Sequence, residues 1–423
     1  MTPQRLCIVA ELENLGQATL QTGPFGTQLK ASEYVEEGIP VINVRNIGFG
    51  DVRKENVEYL NEVKSEKLHQ HHLRKGDIVF GRKGAVERHA LIDETTDGWI
   101  QGSDCLRLRV KSPEVCVRYL SYYLRTQAHQ DWMQALCSFG ATMSSLNQDI
   151  VRRISFPAPP IKAQKKIAAI LSAYDDLIEN NKRRIALLEK MAEEIYCEWF
   201  VRFRFPGHDK VKFVKRVPEG WEISTLGEIA DFTMGQSPKS EFYNETGDGL
   251  PFNQGVGTYG NRFPRKVTFC STTGRKAEKG DILFSVRAPV GRLNIADCEM
   301  IIGRGLAAIR HRNGLNSYLY YLLKVTFANE DIIGNGAIFN SVGKDELKKF
   351  KIFNPESSLI LRFDEIAAKI DQQILLFIHA LEKLISTRDL LLPRLISGKL
   401  PVENLDIRFP PGMEEAVALG EEA

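Results

Sequence analysis

Apolar side chains recur every three, four or seven positions through residues 161–199, a stretch without proline or glycine. They are Ile167, Ile170, Leu171, Tyr174, Ile178, Ile185, Leu188, Ala192, Ile195 and Trp199. That spacing places one apolar stripe on one face of an α-helix. Pro159-Pro160 suits its start, because proline's fixed φ is already helical and its missing donor costs nothing in a first turn. Phe205-Pro206-Gly207 marks the stop region. At ~1.5 Å rise per residue the helix would be roughly 55–60 Å long. Propensity alone does not hold an isolated helix, so the stripe needs a partner. Residues 359–395 supply one, with Phe363, Ile366, Ile370, Ile374, Phe377, Leu381, Leu384, Leu391 and Leu395 at the same spacing. Helix pairing is expected from Ile167, Tyr174, Ile178, Asn181, Ile185, Leu188, Ile195 and Trp199 on the first helix. On the second it is expected from Ile370, Ile374, Phe377, Leu381 and Leu384. Asn181 and Arg388 stand where the stripe calls for apolar residues; a polar group there either fixes register and partner number or is a surface position.

The rest of the chain repeats. Lys75-Gly76-Asp77-Ile78-Val79-Phe80 matches Lys279-Gly280-Asp281-Ile282-Leu283-Phe284, and Val86 and Arg88 meet Val290 and Arg292 at the same offset. Leu108-Arg109 meets Ile309-Arg310, Tyr119-Leu120 meets Tyr318-Leu319, Gly140-Ala141 meets Gly336-Ala337, and Asp175 meets Asp371. The matches are collinear with a period of about 200 residues, too long for a solenoid and suited to a duplicated domain-plus-helix unit. Each copy opens with short strand-like runs: residues 39–44, 77–80, 89–92 and 105–110, then 250–253, 281–284, 293–296 and 306–309. A helical stretch follows (117–135; 317–329), then a loop rich in Gly, Ser, Thr and Asn (139–144; 334–340), then the long helix. The chain is therefore read as α+β: two similar α/β domains separated by a pair of long antiparallel helices in a coiled coil, with an internal pseudo-twofold duplication. The expected boundaries are 1–156 and 206–356 for the domains, 157–205 and 357–400 for the helices, and 401–423 for a weakly ordered tail. Pro393 is expected to end or kink the second helix.

Composition excludes several classes. Hydrophobic residues make up 43% and charged residues 26%, so there is apolar material for more than one core. Net charge is only +2, so any basic surface must be local. Seven dispersed cysteines without CxxC spacing suggest neither a zinc ribbon nor a disulfide framework, and fit a reducing compartment. No signal pattern and no apolar run of ~20 residues is present, so a cytoplasmic location without membrane association is expected. No Walker A, GxGxxG, GxSxG or HExxH motif occurs; Val342-Gly343-Lys344-Asp345 lacks the upstream glycine. His69-Gln70-His71-His72 reads as a solvated segment between Lys67 and Arg74 rather than a metal site. No catalytic residue and no metal ligand is assigned.

What remains is loop chemistry. Arg45, Asn46, Arg82, Lys83, Arg88 and Thr142 lie in copy one; Asn253, Gln254, Arg262, Arg287, Arg292, Arg304 and Asn340 lie in copy two. Arginine is bidentate to guanine, Asn or Gln to adenine, and Lys and backbone amides reach phosphates, so these types suit DNA. The copies keep Lys-Gly-Asp-Ile and the helices while differing in these loops, as two domains reading different sequences would. The alternative is a coiled-coil adaptor whose end domains bind proteins.

The chain also resembles the specificity (S) subunit of type I restriction–modification systems. The likeness rests on Gly38-Ile39-Pro40-Val41-Ile42 with Arg45-Asn46-Ile47, the doubled Lys-Gly-Asp-Ile, Gly140-Ala141-Thr142, and Pro159-Pro160 through Gln164. It rests further on Glu198-Trp199-Phe200-Val201 with Phe205-Pro206-Gly207, and on Leu392-Pro393-Arg394-Leu395-Ile396-Ser397-Gly398-Lys399-Leu400; Gly336-Ala337-Ile338 departs from the Gly-Ala-Thr of copy one. The resemblance implies that each globular domain is a target recognition domain for one half of a split double-stranded DNA sequence. It implies no cofactor in this chain. Two modification subunits would dock on it and methylate adenine with S-adenosylmethionine, and restriction subunits that use ATP and magnesium can join.

Overall fold

The computed structural model describes residues 5–137, 145–327 and 341–409. They fall into two compact units, residues 1–180 with 381–423, and residues 181–380. Each long helix gives one half to each unit.

In the first unit, an antiparallel sheet orders Ala18–Thr22, Cys105–Val110, Ile78–Gly81 and His89–Leu91, with Phe49–Gly50 added in parallel at the edge. A second sheet pairs Ile39–Ile42 with Glu58–Leu60 and, in parallel, with Ile100–Gln101. Leu6–Ile8 pairs with Ser155–Pro157. The core joins Ile78, Phe80, Leu106 and Leu108 to Tyr119 and Leu120 of helix Val117–Leu124, and to Ile167, Leu171, Leu392, Leu395 and Ile396 of the long helices.

The second unit uses the same strand order: Ala230–Met234, Leu306–His311, Ile282–Ser285, Leu293–Ile295. Its second sheet keeps the parallel pair, Leu250–Asn253 with Met300–Ile302, and adds three short strands. Its ribbon is Glu222–Thr225 with Lys351–Asn354, and helix Asn316–Thr326 stands where Val117–Leu124 stands in the first unit. The duplication is thus one of topology as well as sequence.

The repeated Lys-Gly-Asp-Ile has one structural job in both units. Gly76 and Gly280 adopt φ of 89° and 91°, the left-handed region that glycine enters without steric cost. The chain turns there, Asp77 N–H donating to Arg74 O and Asp281 N–H to Glu278 O. The aspartate then caps its own turn, accepting from Arg74 N–H and Glu278 N–H at 2.8 Å in each copy. It also takes a two-pronged ion pair across the sheet, from Arg109 at 2.6 and 2.7 Å and from Arg310 at 2.6 and 2.9 Å. The alternating run Cys105–Val110 implies one solvated face. Instead Arg107 is buried, its guanidinium donating to the carbonyls of Gln70 and His72.

The first long helix spans Ile161–Tyr196, about 54 Å, and widens into a π turn over Cys197–Val201. At its start the buried Gln164 donates to the carbonyls of Glu114 and Pro159 and accepts from Cys116 N–H. The second helix spans Ser357–Ile396, about 60 Å. It continues through Pro393 rather than ending there. The proline lies in the last turn, so only one intrahelical bond is forfeited, and Ser397 N–H still reaches Pro393 O. Within the first unit the helices run antiparallel: Arg388 meets Asp175 at 2.8 Å, and Leu392 and Leu395 share a core with Leu171 and Ile167. Within the second they do so again, with Tyr196 and Trp199 against Phe363 and Arg184 over Phe377. Nor is the chain loose immediately after the helix. Val402 is buried, and the Lys166 ammonium donates to the carbonyls of Val402, Glu403 and Leu405 at 3.3, 2.7 and 2.8 Å.

Asp77 is almost fully buried. Asp77→Ala, which strands Arg109 and the turn donor, is expected to cost about 3 kcal/mol, with a smaller loss for Asp281→Ala because Arg310 is more exposed. Denaturant midpoints at constant slope check this. His129, packed between Tyr123 and Trp132, is held by burial at a pKa of about 4, and burial drives His89 far down as well. Between pH 6.5 and 4 the unfolded chain therefore binds protons that the folded one refuses. Stability should be full above pH 6.5 and fall through that window, by about 3 kcal/mol for His129 alone. His129→Phe should flatten the slope of unfolding free energy against pH.

Candidate nucleic-acid interface

In each unit two glycines cross, beside Asn43 in the first and beside Gln254 in the second. A Cβ on Gly23 would lie 1.9 Å from Gly102 O, and one on Gly235 would lie 2.1 Å from Gly303 O. No side chain fits at either crossing. Matching backbone bonds hold both: Gly23 N–H to Cys105 O and Gly235 N–H to Leu306 O, then Gly102 N–H to Ile42 O and Gly303 N–H to Asn253 O.

In the first unit Asn43 lies on this crossing and donates to Glu58 at 2.6 Å, while Arg45 pairs with the other oxygen of Glu58 at 2.7 Å. Lys83 pairs with Asp104 at 3.2 Å, and its backbone bridges to Ser145. Gln148 donates to Thr22 Oγ1 at 3.0 Å. Arg45 and Lys83 are about half exposed. Ion pairs this open contribute little, roughly 0–1 kcal/mol, so the carboxylates orient these cations without tying them up. In the second unit the crossing carries Gln254, which accepts from the Ser237 hydroxyl at 2.9 Å; Ser237 in turn accepts from Arg304 N–H. Arg287 occupies the place of Lys83, its backbone bridged to Ser341 as Lys83 is to Ser145. Gln254, Arg287, Arg292 and Arg304 are exposed.

Three assigned residues are corrected. Asn46 is fully buried and spends its amide on Asn43 N–H and on the carbonyls of Arg53 and Glu55, so it shapes the loop and faces no ligand. Asn253 is buried between Thr258 and Met300. Among the described residues Arg262 is the largest fully buried side chain, and it is paired to Asp371. Arg82 is half-buried, and Arg88 is half-buried with its guanidinium 5.2 Å from the Phe49 ring. Thr142 and Asn340 lie outside the described residues. Asn43, Glu58, Asp104 and Ser237 are not marked by the sequence pattern; Asp104 and Ser237 lie two residues from a crossing glycine, while Asn43 and Glu58 carry no local signal. Of the helix residues, Ile167, Ile178, Asn181, Ile185, Ile370 and Ile374 are buried. Tyr174, Leu188, Ile195, Trp199, Phe377, Leu381 and Leu384 are half-buried. The histidines at 69–72 turn to separate partners (Glu66 O, Gln21 and Ser65), and no metal-holding group occurs among the described residues. Nor, among them, is any helix long and apolar enough to cross a membrane.

One mixed fold is thus used twice, with different polar groups mounted on the same glycine crossing. The model of the type I restriction modification DNA specificity domain matches the chain twice, over residues 26–190 and 218–390. The chain belongs to that family, the specificity subunits of type I restriction–modification systems, in which the enzymatic activities lie in other subunits. It is 31% identical over 323 residues to a protein of Methanocaldococcus jannaschii named as the MjaX specificity subunit, covering 74% of this chain and 76% of the relative. To the MjaIX specificity subunit of the same organism it is 26% identical over 307 residues, 69% of this chain and 71% of that one. The crystal structure of an S subunit from M. genitalium shares the fold, with a TM-score of 0.64 at 19% identity over 96% and 98% of the two chains.

Lys83→Ala and Arg287→Ala are each expected to weaken binding of the assembled complex to its DNA. If the side chain neutralises a phosphate, its removal should lower the slope of log affinity against log salt by about 1. If it hydrogen-bonds a base edge, its removal should cost about 1–3 kcal/mol at one position of the site. Salt titration of binding to matched and single-substituted duplexes separates the two.

Proposed function

We propose that each unit reads one half of a bipartite, asymmetric sequence in double-stranded DNA, and that the long helices dock two modification subunits. Restriction subunits can join the same assembly. This chain supplies recognition and scaffold; S-adenosylmethionine, ATP and magnesium serve the partners, and the assembly acts on cytoplasmic DNA. One observation carries the reading. The two units share strand order, turn and glycine crossing, yet mount Asn43, Arg45 and Lys83 in one case and Gln254, Arg304 and Arg287 in the other. A duplicated scaffold with altered polar groups at one loop cluster fits two readers of unlike sequences better than two copies of one protein-binding module.

Docking is supported by the outer faces of the helices. Leu177 and Leu390 in the first unit, and Leu187, Met191, Leu361 and Leu376 in the second, are exposed large apolar side chains on otherwise charged helices. Leu187 and Met191 stand one turn apart on one face, and a contiguous apolar patch is what marks a partner surface.

Mapping methylated adenines with and without the gene tests the assignment directly. The length of the helix pair is proposed to set the number of unspecified base pairs between the half-sites. Inserting four residues after Asn180 and four after Ala380 adds about 6 Å to each helix. The half-sites should stay the same while the gap grows by about two base pairs. An unchanged gap in the methylation map removes the ruler.

A further inference from the structure

In both units one aspartate of a long helix holds the domain's turn region through an arginine, but the arginine comes from a different place. In the first unit Asp175 accepts from Tyr122 OH and from Arg125 at 2.8 Å each, and Arg125 lies 4.5 Å over the Tyr122 ring. Arg125 also reaches back to Gly50 O. In the second unit Asp371 accepts from Tyr321 OH, from the Ser317 hydroxyl and from Arg262, which lies over the Tyr320 and Tyr321 rings.

Matching contacts fix the equivalences. Residues Val44–Asn46 and Val256–Thr258 form the same short 3-10 turn, and Arg53 N–H to Asn46 O repeats as Arg265 N–H to Thr258 O. Gly48 N–H to Asp51 O repeats as Gly260 N–H to Phe263 O. Gly50 is therefore the counterpart of Arg262. Tyr122 is the counterpart of Tyr321, so Arg125 is the counterpart of Lys324. A Cβ on Gly50 would sit 2.1 Å from Arg125 Nε: the guanidinium of Arg125 fills the space that the Arg262 side chain fills in the other copy. Lys324, freed of that role, pairs with Glu193 at 2.8 Å.

We infer that Asp175 and Asp371 are positioning residues, each built to take one arginine from the domain it carries. That arginine orients the turn next to Asn43 or Gln254 against the helix. There are two mounting positions for it, the turn (262) or the end of the domain helix (125), and they exclude each other. The pairs Gly50 with Arg125, and Arg262 with Lys324, are the two complete solutions. This rests on the reading of each unit as a DNA reader.

The test is an exchange in the second unit, in the complex with modification subunits: Arg262→Gly, Lys324→Arg, and both together. Removing one partner of a buried pair is strongly destabilising, so Arg262→Gly should weaken specific binding by about 30-fold or more. The first unit's half-site preference should stay unchanged. The double variant, which imports the other copy's solution, should return to within about 5-fold of wild type, the coupling expected of contacting residues. Arg262→Gly at wild-type affinity, or a double variant no better than Arg262→Gly, overturns the proposal. If Arg262→Gly fails to assemble, recovery of assembly in the double variant is the supporting result and continued failure the overturning one. Were the chain no DNA reader, the wild-type complex itself would lack sequence preference. The same rescue would then be read in the melting temperatures of the four chains.

Discussion

Neither long helix can cover its own apolar stripe, and every other feature follows from that constraint. Ile178, Ile185, Ile370 and Ile374 are buried, each contributing on the order of 2 kcal/mol only if something lies against it. In each unit the cover is one half of the opposite helix together with the core of one globular domain. The first unit's core runs without a break from Phe80 and Leu106 of the sheet through Tyr119 to Ile167, Leu171 and Leu395. In the second unit Phe363 is ringed by Tyr196, Trp199, Phe200, Tyr318 and Tyr321. Domain and helix halves are therefore one folding unit each, which is why the chain divides across the middle of the helices and not at their ends.

Polar groups at these seams are matched rather than incidental. Asp175 is buried enough for desolvation to push its pKa up, yet Arg125, Arg388 and Tyr122 hold it below the usual carboxylate range. Its charge is thus kept through ordinary pH while it ties domain to helix and helix to helix. Asp371 collects partners in the same way from Arg262, Ser317 and Tyr321. A stripe of aliphatic residues sets no register by itself; these carboxylates do.

The duplication, the helix pair and most strands are legible in the sequence because they rest on periodicity and repeated motifs, which tertiary context does not erase. Strand runs such as Cys105–Val110 and Leu250–Asn253 fall at the residues that the pattern marks. The polar site is less legible, for a physical reason. Asn46, Asn253 and Arg262 have the composition of surface loop residues, and composition does not say which loop is covered: Asn46 is turned inward by its own loop, and Arg262 by Asp371, far along the chain. Arg107 misleads in the same way, since alternation reports which side chains share a face and not whether that face is later covered. Pro393 departs from expectation because a local rule about proline takes no account of how many helical bonds remain beyond it.

The three carbonyls gathered by Lys166 have a consequence for where the molecule can be cut. Residues past the last helical turn look like a trailing end, yet Val402 is buried in the same core as Ala163 and Ile167, in the unit that begins the chain. A stop codon placed just after Ile396 would leave the second unit with every contact described for it. The damage would fall on the opposite end of the reading frame, where a cationic side chain would lose its acceptors and an aliphatic floor would be laid open.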